Sequence, residues 1–400
     1  MARWRIGLVV PRYGEDLLGG AERATQNLAE QLVASDVAQV QVLTTCARDH
    51  LTWQNELPAR EMLTHNVPVR RFPVAHGLRD AARYNALHLR WMHQHVLSAD
   101  EQHEWVNQSA HSPELYAYIE TRGQTFDFLV FGPYFSGTTL YGSAIYPERS
   151  ILWLHLHDEI YARLRPLHEM YRACRGVMFN TYPESRLAQR LYGVHPGGQI
   201  IGEIVSVAMP SPNGEQFRKQ YNLREPFILY AGRLERGKNI ALLVEYFLKY
   251  KRQRGGATKL ALIGWGPEKI PRHSDIISLG LVNEQAKWDA YAAATLLCQP
   301  SLNESFSIVM MEAWLSGAPV LVHADCDVTR FSVVQSNGGL YFRDYDEFEA
   351  ALDVLLTDDQ LRRRMGENGK RYVQAEYSAD AVLERFETAL QHWSAREQGK

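Results

Sequence analysis

The stretch FILYAGRLERGKN, residues 227–239, decides the fold. Its first five residues, Phe227 to Ala231, are an apolar run of strand length. They lead into a loop carrying Gly232, Arg233, Gly237 and Lys238, and a helix is expected from Asn239. Strand, short loop and helix in that order form half of a crossover, and repeated crossovers build parallel sheets.

The same alternation continues on both sides. Toward the C-terminus the expected strands are KLALIG, IISLG, TLLCQP and PVLVHA, with helices over EQAKWDAYAAA and from Ser305. Toward the N-terminus they are RIGLVV, VQVLTT, VPVRRFPV, DFLVFG, ILWLHLH and GVMFN. Between these, GAERATQNLAEQLVA and YPESRLAQRLYG carry apolar residues at the three- and four-residue steps of amphipathic helices. The pattern breaks at residues 193–225, where Pro and Gly concentrate, so each half reads as its own doubly wound α/β unit with its ligand site at the carboxyl ends of its strands. Two units also suit 400 residues, since one core stops growing at about 250–300. Residues 357–376 read as a charged, solvated helix, and SADAVLERFETALQHW as a terminal helix that needs a surface to pack on.

Bulk composition narrows the function. Hydrophobic content of 46% with 22% charged residues is that of a globular chain. A formal charge of −3 supplies no field for nucleic acid. The first apolar run, Ile6 to Val10, is shorter than a signal-peptide core and reads as a strand. No apolar segment approaches the ~20 residues that span a bilayer. Cys46, Cys174, Cys298 and Cys326 are scattered without metal-binding spacing, which fits a reducing cytoplasm and indicates no metal site.

Three segments suggest phosphate. Gly19-Gly20, between a strand and a helix, lets backbone N–H groups approach an anion, or simply makes a tight turn. Arg233 and Lys238 at a strand's carboxyl end suit a diphosphate, the first as a fork and the second as a mobile point charge. In SLNESFSIVMMEA, residues 301–313, Ser305 or Ser307 is expected to cap a helix that ends before Gly317. If that helix reached Glu304, the eight-residue step to Glu312 would set the two carboxylates about 80° apart. Two grips on one ligand are the natural reading, rather than two carboxylates sharing a proton.

GRLERGK followed about seventy residues later by E-S-F-S-x4-E resembles the retaining GT-B glycosyltransferases of family four, the group 1 transferases with an E-x7-E motif. The resemblance also takes in Gly19 to Glu22, LHLHDE at 154–159, LIGWGPE at 262–268 and LGLV at 279–282. It implies two Rossmann-like domains facing across a cleft: an acceptor domain over 1–203, a nucleotide-sugar domain over 204–376, and a helix over 377–400 crossing back to the first. It implies that Arg233 and Lys238 neutralise the donor diphosphate. Glu304 would meet the donor sugar, with the amides of Ser305, Phe306 and Ser307 turned to sugar or phosphate. Glu312 would hold the ribose, Leu281 and Val282 would meet the base, and Gly19-Gly20 would present an N–H to phosphate. His157 matches the histidine near the reaction centre. His155 is the alternative, since strand alternation puts both on one face.

The implied reaction moves a sugar from a nucleotide-sugar, UDP- or GDP-linked, to a saccharide or lipid-linked acceptor with retention, in polysaccharide or glycoconjugate synthesis. It needs no cofactor. A phosphorylase or synthase on the same fold, and an inactive nucleotide-binding module, are the alternatives. Two departures stand out: GEIVSVAMPSPNGEQF leaves Asn213-Gly214 without a clean counterpart, and VLVHADCDVTR replaces a glycine-rich turn. Asp325-Cys326-Asp327 resembles a metal-binding DxD only by coincidence. Arg79, Arg83 and Arg90 fall within about 40° on one helix, a basic face that is either solvated or meets anionic lipid at the inner membrane surface.

Overall fold

The computed structural model describes residues 4–395 except 15–18, 36, 51, 76–79, 94–95 and 206–210. The chain divides into two compact units, Met1–Ile204 with Ala379–Lys400, and Val205–Ser378. Each unit is a sheet covered by helices on both faces.

The first sheet holds β1 (Trp4–Val9), β2 (Ala38–Thr45), β3 (Glu61–Thr64), β4 (Val67–Phe72), β5 (Phe128–Phe131), β6 (Ser150–Trp153), β7 (Gly176–Phe179) and β8 (Gly198–Ile200). Their order is β3-β4-β2-β1-β5-β6-β7-β8, parallel except for β3, which runs antiparallel to β4. That hairpin was not expected. Its turn, His65-Asn66, has both residues at positive φ, the primed geometry that suits hairpins, but it lacks the Asn-Gly or Asp-Gly pair that advertises such turns.

The last helix, Ala379–Ala395, belongs to this unit. Val382, Phe386, Ala389 and Trp393 fall on one stripe and join the core beneath β1, β2 and β5. Trp393 is fully buried, its indole N–H donates to the Gly197 carbonyl at 2.8 Å, and Arg175 reaches the Trp393 carbonyl at the helix end. Truncating so buried a tryptophan costs about 3–5 kcal/mol.

The second sheet is wholly parallel: β9 (Phe227–Ala231), β10 (Lys259–Ile263), β11 (Ile276–Gly280), β12 (Leu296–Gln299), β13 (Val320–His323) and β14 (Gly339–Phe342), in the order β11-β10-β9-β12-β13-β14. Every residue of β9, β12 and β13 is buried, as strands covered on both faces require. The order reverses at β9. Successive strands add outward through β10 and β11, then the chain returns to the other side of β9 with β12, and this reversal opens a crevice at the carboxyl ends of β9 and β12.

The expected α/β architecture of two doubly wound units holds. The charged helix, Asp359–Glu376, is solvated on one side only: Gly366, Gly369 and Val373 are buried, with Gly369 against the Trp314 indole. Gly317, at φ 84°, ends the helix Ile308–Leu315 as expected. Its N–H donates to the Trp314 carbonyl and that of Ala318 to Ala313, a Schellman closure that favours glycine.

Candidate functional site

The loops after β9 and β12 meet at the reversal point. The first is braced from below: Gly232 N–H donates to the Ile263 carbonyl and Leu234 N–H to the Trp265 carbonyl, both at 3.0 Å. This close approach needs Gly264, whose φ is 137° and whose added Cβ would lie 1.8 Å from the Gly232 oxygen. Tyr230 O–H donates to the Arg233 carbonyl at 2.7 Å; burial, then Glu304, holds this phenol far above its ordinary range. Arg236–Lys238 forms a 3-10 turn, and Asn239, at φ 56°, donates its side-chain amide to the Pro300 carbonyl of the second loop at 3.1 Å.

Lys238 and Glu304 are joined directly. Lys238 Nζ lies 2.8 Å from Glu304 Oε1, with side chains only 19% and 8% exposed. Gln299, the last residue of β12, donates Nε2 to the same oxygen at 2.9 Å and to Ser307 Oγ at 3.4 Å. Arg233 does not join this pair; it is exposed and paired with Glu235 at 3.1 Å.

Ser307 occupies the expected N-cap position, but the side-chain cap is missing. The helix starts only at Ile308, Ser307 takes φ 76° and ψ 73°, and its hydroxyl caps nothing. Glu304 therefore precedes the helix by a turn of irregular backbone, and the 80° separation from Glu312 does not apply. Ser307 sits in a conformation that costs a non-glycine residue of order 1–3 kcal/mol and that collects at functional sites.

Glu312 is buried on the helix interior and has its own partners. Lys287 Nζ lies 2.9 Å from Oε1, and Tyr291 O–H donates to Oε2 at 2.9 Å. Burial works to lower the Lys287 ammonium's pKa, but Glu312 and Glu284 outweigh it and raise the value. Glu304 and Glu312 share none of these partners. Phe306 packs edge-on against Tyr377 at 4.8 Å, and Ser305 is buried beside it. Leu281 is exposed just past β11, and Val282 packs on the core. Asp325 pairs with Arg343 at 3.0 Å and Asp327 with Arg330 at 2.7 Å.

In the first unit the two histidines part company. Strand β6 stops at Trp153 and His155 takes φ 52°, so the expectation that His155 and His157 share a strand face fails. His155 is buried, 3.5 Å from Glu203 and 3.2 Å from the Asn180 amide, while the Trp153 indole donates to Asn180 Oδ1 at 2.6 Å. His157 is 29% exposed, and its Nδ1 lies 2.9 Å from Glu159 Oε1. Beneath both, buried Glu184 accepts the Leu156 N–H at 2.6 Å and the Asn180 N–H.

Gly20 opens the helix Gly20–Ser35, and an added Cβ there would meet nothing within 4 Å; one on Gly19 would strike Glu22, which Arg12 clasps. The basic face is neutralised: Arg83 donates to Glu104 at 2.9 and 3.0 Å and Arg90 to Glu101 at 2.5 Å, while Arg79 lies outside the described residues. Among the described residues no helix is long and apolar enough to cross a membrane.

Sequence reasoning missed Gln299, Asn239, Lys287, Tyr291, Glu184 and Asn180. Only Gln299 carried a local signal, as the polar end of an otherwise apolar strand.

Residues 213–372 match the family model for glycosyl transferases group 1. The D-inositol 3-phosphate glycosyltransferase of Kribbella flavida is 26% identical over 260 residues, 58% of this chain and 61% of that protein. The lipopolysaccharide 1,2-N-acetylglucosaminetransferase of Salmonella typhimurium is 26% identical over 267 residues, 60% of this chain and 67% of that protein. Alignments to the first curated relatives thus span between 41% and 61% of their length. Among solved structures, the sucrose-phosphate synthase of Thermosynechococcus elongatus superposes with a TM-score of 0.73 at 18% identity, covering 98% of this chain and all of that one. Anabaena HepE in complex with UDP-glucose gives 0.72 at 15%, with 98% and 100% covered. These structures share the GT-B fold of two parallel-sheet units. The sequence matches support kinship with the group 1 glycosyltransferases.

Proposed function

We propose that the chain is a retaining glycosyltransferase of family four that binds a nucleotide-sugar, UDP-linked by preference, at the carboxyl ends of β9 and β12. The observation that carries this reading is the Lys238–Glu304 pair at the reversal of strand order, where an α/β sheet takes its ligand. The relative solved with UDP-glucose supports the choice of donor.

A departing nucleoside diphosphate needs positive potential that does not have to reorganise. Lys238 Nζ has three donors and spends one on Glu304, so it can meet a phosphate oxygen while Glu304 keeps it in place. Arg233, exposed on the same loop, supplies a second cation. Glu304, held by Lys238 and Gln299, would then meet a donor-sugar hydroxyl. Each Glu312 oxygen retains a lone pair beyond its bond to Lys287 or Tyr291, enough for the ribose hydroxyls. Val282 and Leu281 border the base, and the amides of Ser305, Phe306 and Ser307 face sugar or phosphate. The acceptor, a saccharide or a lipid-linked sugar, is assigned to the first unit, where His157 and the Gly19-Gly20 turn belong to the reaction. Retention would follow from attack on the face the diphosphate leaves, its oxygen taking the acceptor proton.

Nucleoside-diphosphate binding and turnover test this reading. UDP should raise the melting temperature of the wild type and not of Lys238→Ala. With UDP-glucose as donor, Glu304→Gln should mainly lower kcat and Glu312→Gln mainly weaken UDP binding. Absence of stabilisation by UDP, GDP and ADP alike would sink the proposal.

A further inference from the structure

Among the described residues, the carboxyl end of the first sheet contains a buried cation with no counter-charge. Arg71, next to last in β4, is 6% exposed. Its Nη2 donates to the Tyr13 carbonyl at 3.1 Å, its Nη1 contacts the Met62 sulfur, and its Nε–H meets no acceptor. The groups whose charge acts on it are Cys46, Arg60 and Tyr13, none of them a carboxylate. Arg12, close by in sequence to Tyr13, shows the contrast: its Nη2 is paired with Glu22 and its Nη1 bonds the Arg48 carbonyl at 3.0 Å.

Among the described residues, two hydroxyls at this end lack partners as well. Tyr13 O–H is buried without a partner, and so is Thr44 Oγ. Thr44 is in register with Arg71 across β2 and β4, two residues beyond the pair Val42 and Val69. Both valines belong to the core on the face that the helix Gly20–Ser35 covers, and the two-residue period of a strand puts Thr44 and Arg71 on that same face. The Tyr13 side chain packs in that same core, and its carbonyl accepts from Arg71.

An unpaired buried guanidinium and two buried hydroxyls without partners are each unfavourable, and apolar residues of the same size would fill the space more stably. All three groups are able to donate, and among the described residues neither the Arg71 Nε–H nor either hydroxyl meets an acceptor. Such a set matches an oxyanion, whose separate oxygens accept from Nε–H and from each hydroxyl. Its place at the ends of parallel strands is where α/β sheets bind ligands.

We infer that Arg71, Tyr13 and Thr44 form a binding site for a small oxyanion, a phosphate or carboxylate group, in the first unit. The group is either free in solution or carried by the substrate that accepts the sugar; the second source rests on the transferase reading, and the site itself does not.

Calorimetric titration and thermal melting of the full chain with inorganic phosphate, against chloride at equal ionic strength, test the site. Phosphate should bind and stabilise the wild type. Tyr13→Phe and Thr44→Val each remove one unpartnered hydroxyl, so they should melt no lower than wild type without phosphate, yet bind it about tenfold more weakly. Arg71→Lys should bind it more weakly still. A wild type indifferent to phosphate, or hydroxyl variants that bind it unchanged, would overturn the inference. Glucose 6-phosphate binding more tightly than phosphate, with glucose inert, assigns the group to the acceptor; glucose 6-phosphate binding no more tightly than phosphate assigns it to the free ion. UDP stabilisation, measured in parallel, reports on the donor reading alone: its failure beside intact phosphate binding would remove the transferase and leave the anion site.

Discussion

Replacing Glu184 with glutamine keeps the shape of a side chain and removes one buried ionisation. Burial pushes the Glu184 carboxyl up to about 7 from its ordinary 4.5, against the pull of the Leu156 N–H, His155 and the Asn180 N–H. Between those values the folded protein keeps a proton that the unfolded chain has released. The associated stability is therefore present below 4.5 and is lost as pH rises through 7. At about 1.4 kcal/mol per pH unit the gap amounts to about 3 kcal/mol, of which about 2–3 kcal/mol falls between pH 5 and pH 8.

The glutamine variant does not titrate there. Its amide N–H group faces one of the two backbone N–H donors, which costs about 1–3 kcal/mol at every pH and shifts its stability curve without tilting it. Urea denaturation of both proteins at pH 5 and pH 8 isolates the effect, because the wild-type-minus-variant difference cancels every titrating group that is not coupled to Glu184. That difference should fall by about 2–3 kcal/mol over this range. A difference constant to within about 0.5 kcal/mol would refute the burial argument, since Glu184 would then ionise as freely as in the unfolded chain. Because Leu156 adjoins His157, the same variant should also alter the pH profile of turnover.

Two further outcomes are expected at the second unit. Gln299→Leu removes the amide that holds Glu304 Oε1, and should lower kcat about tenfold while leaving UDP affinity within about twofold, read by steady-state kinetics and calorimetry. Lys238→Ala strands the Glu304 carboxylate at 8% exposure, whereas Glu304→Gln leaves Lys238 an amide oxygen to bond. The first should lose about 1–3 kcal/mol more stability than the second, and equal losses in urea denaturation would argue that the pair contributes no more than an exposed one.

Elements with strong local periodicity were legible. The five buried residues of β9, the helix that follows Asn239 and the Gly317 closure all follow from composition within a dozen residues. The β3–β4 hairpin escaped because its turn, His65-Asn66, reaches positive φ without glycine. His155, Asn239 and Ser307 likewise occupy positive φ; Asn and His are enriched in that region, but nothing in the local sequence singles out these positions for it. Their conformations are fixed by what surrounds them: the Asn180 amide beside His155, the Pro300 carbonyl beyond Asn239, and Gln299 reaching the Ser307 hydroxyl.

The two glutamates of SLNESFSIVMMEA show why residue identity was more legible than role. Their eight-residue spacing invites a helical angle, yet the helix begins at Ile308, after Glu304 has already met Lys238 across 66 positions of sequence. Strand order is what brings them together. The loop after β9 carries the lysine, β12 returns to the opposite edge of β9, and the residue that closes β12, Gln299, turns the arriving carboxylate toward the cation. Glu312 is governed instead by a local neighbour, the helix Glu284–Ala293, whose Lys287 and Tyr291 lie one turn apart and grip its two oxygens. A carboxylate held by a switch-point lysine and another locked into a helix pair answer differently to mutation. Charge removal at Glu304 frees a cation in the ligand crevice, while the same change at Glu312 leaves Lys287 buried beside Glu284 alone. The spacing between the glutamates therefore carries less chemical meaning than the separate partners that each one finds.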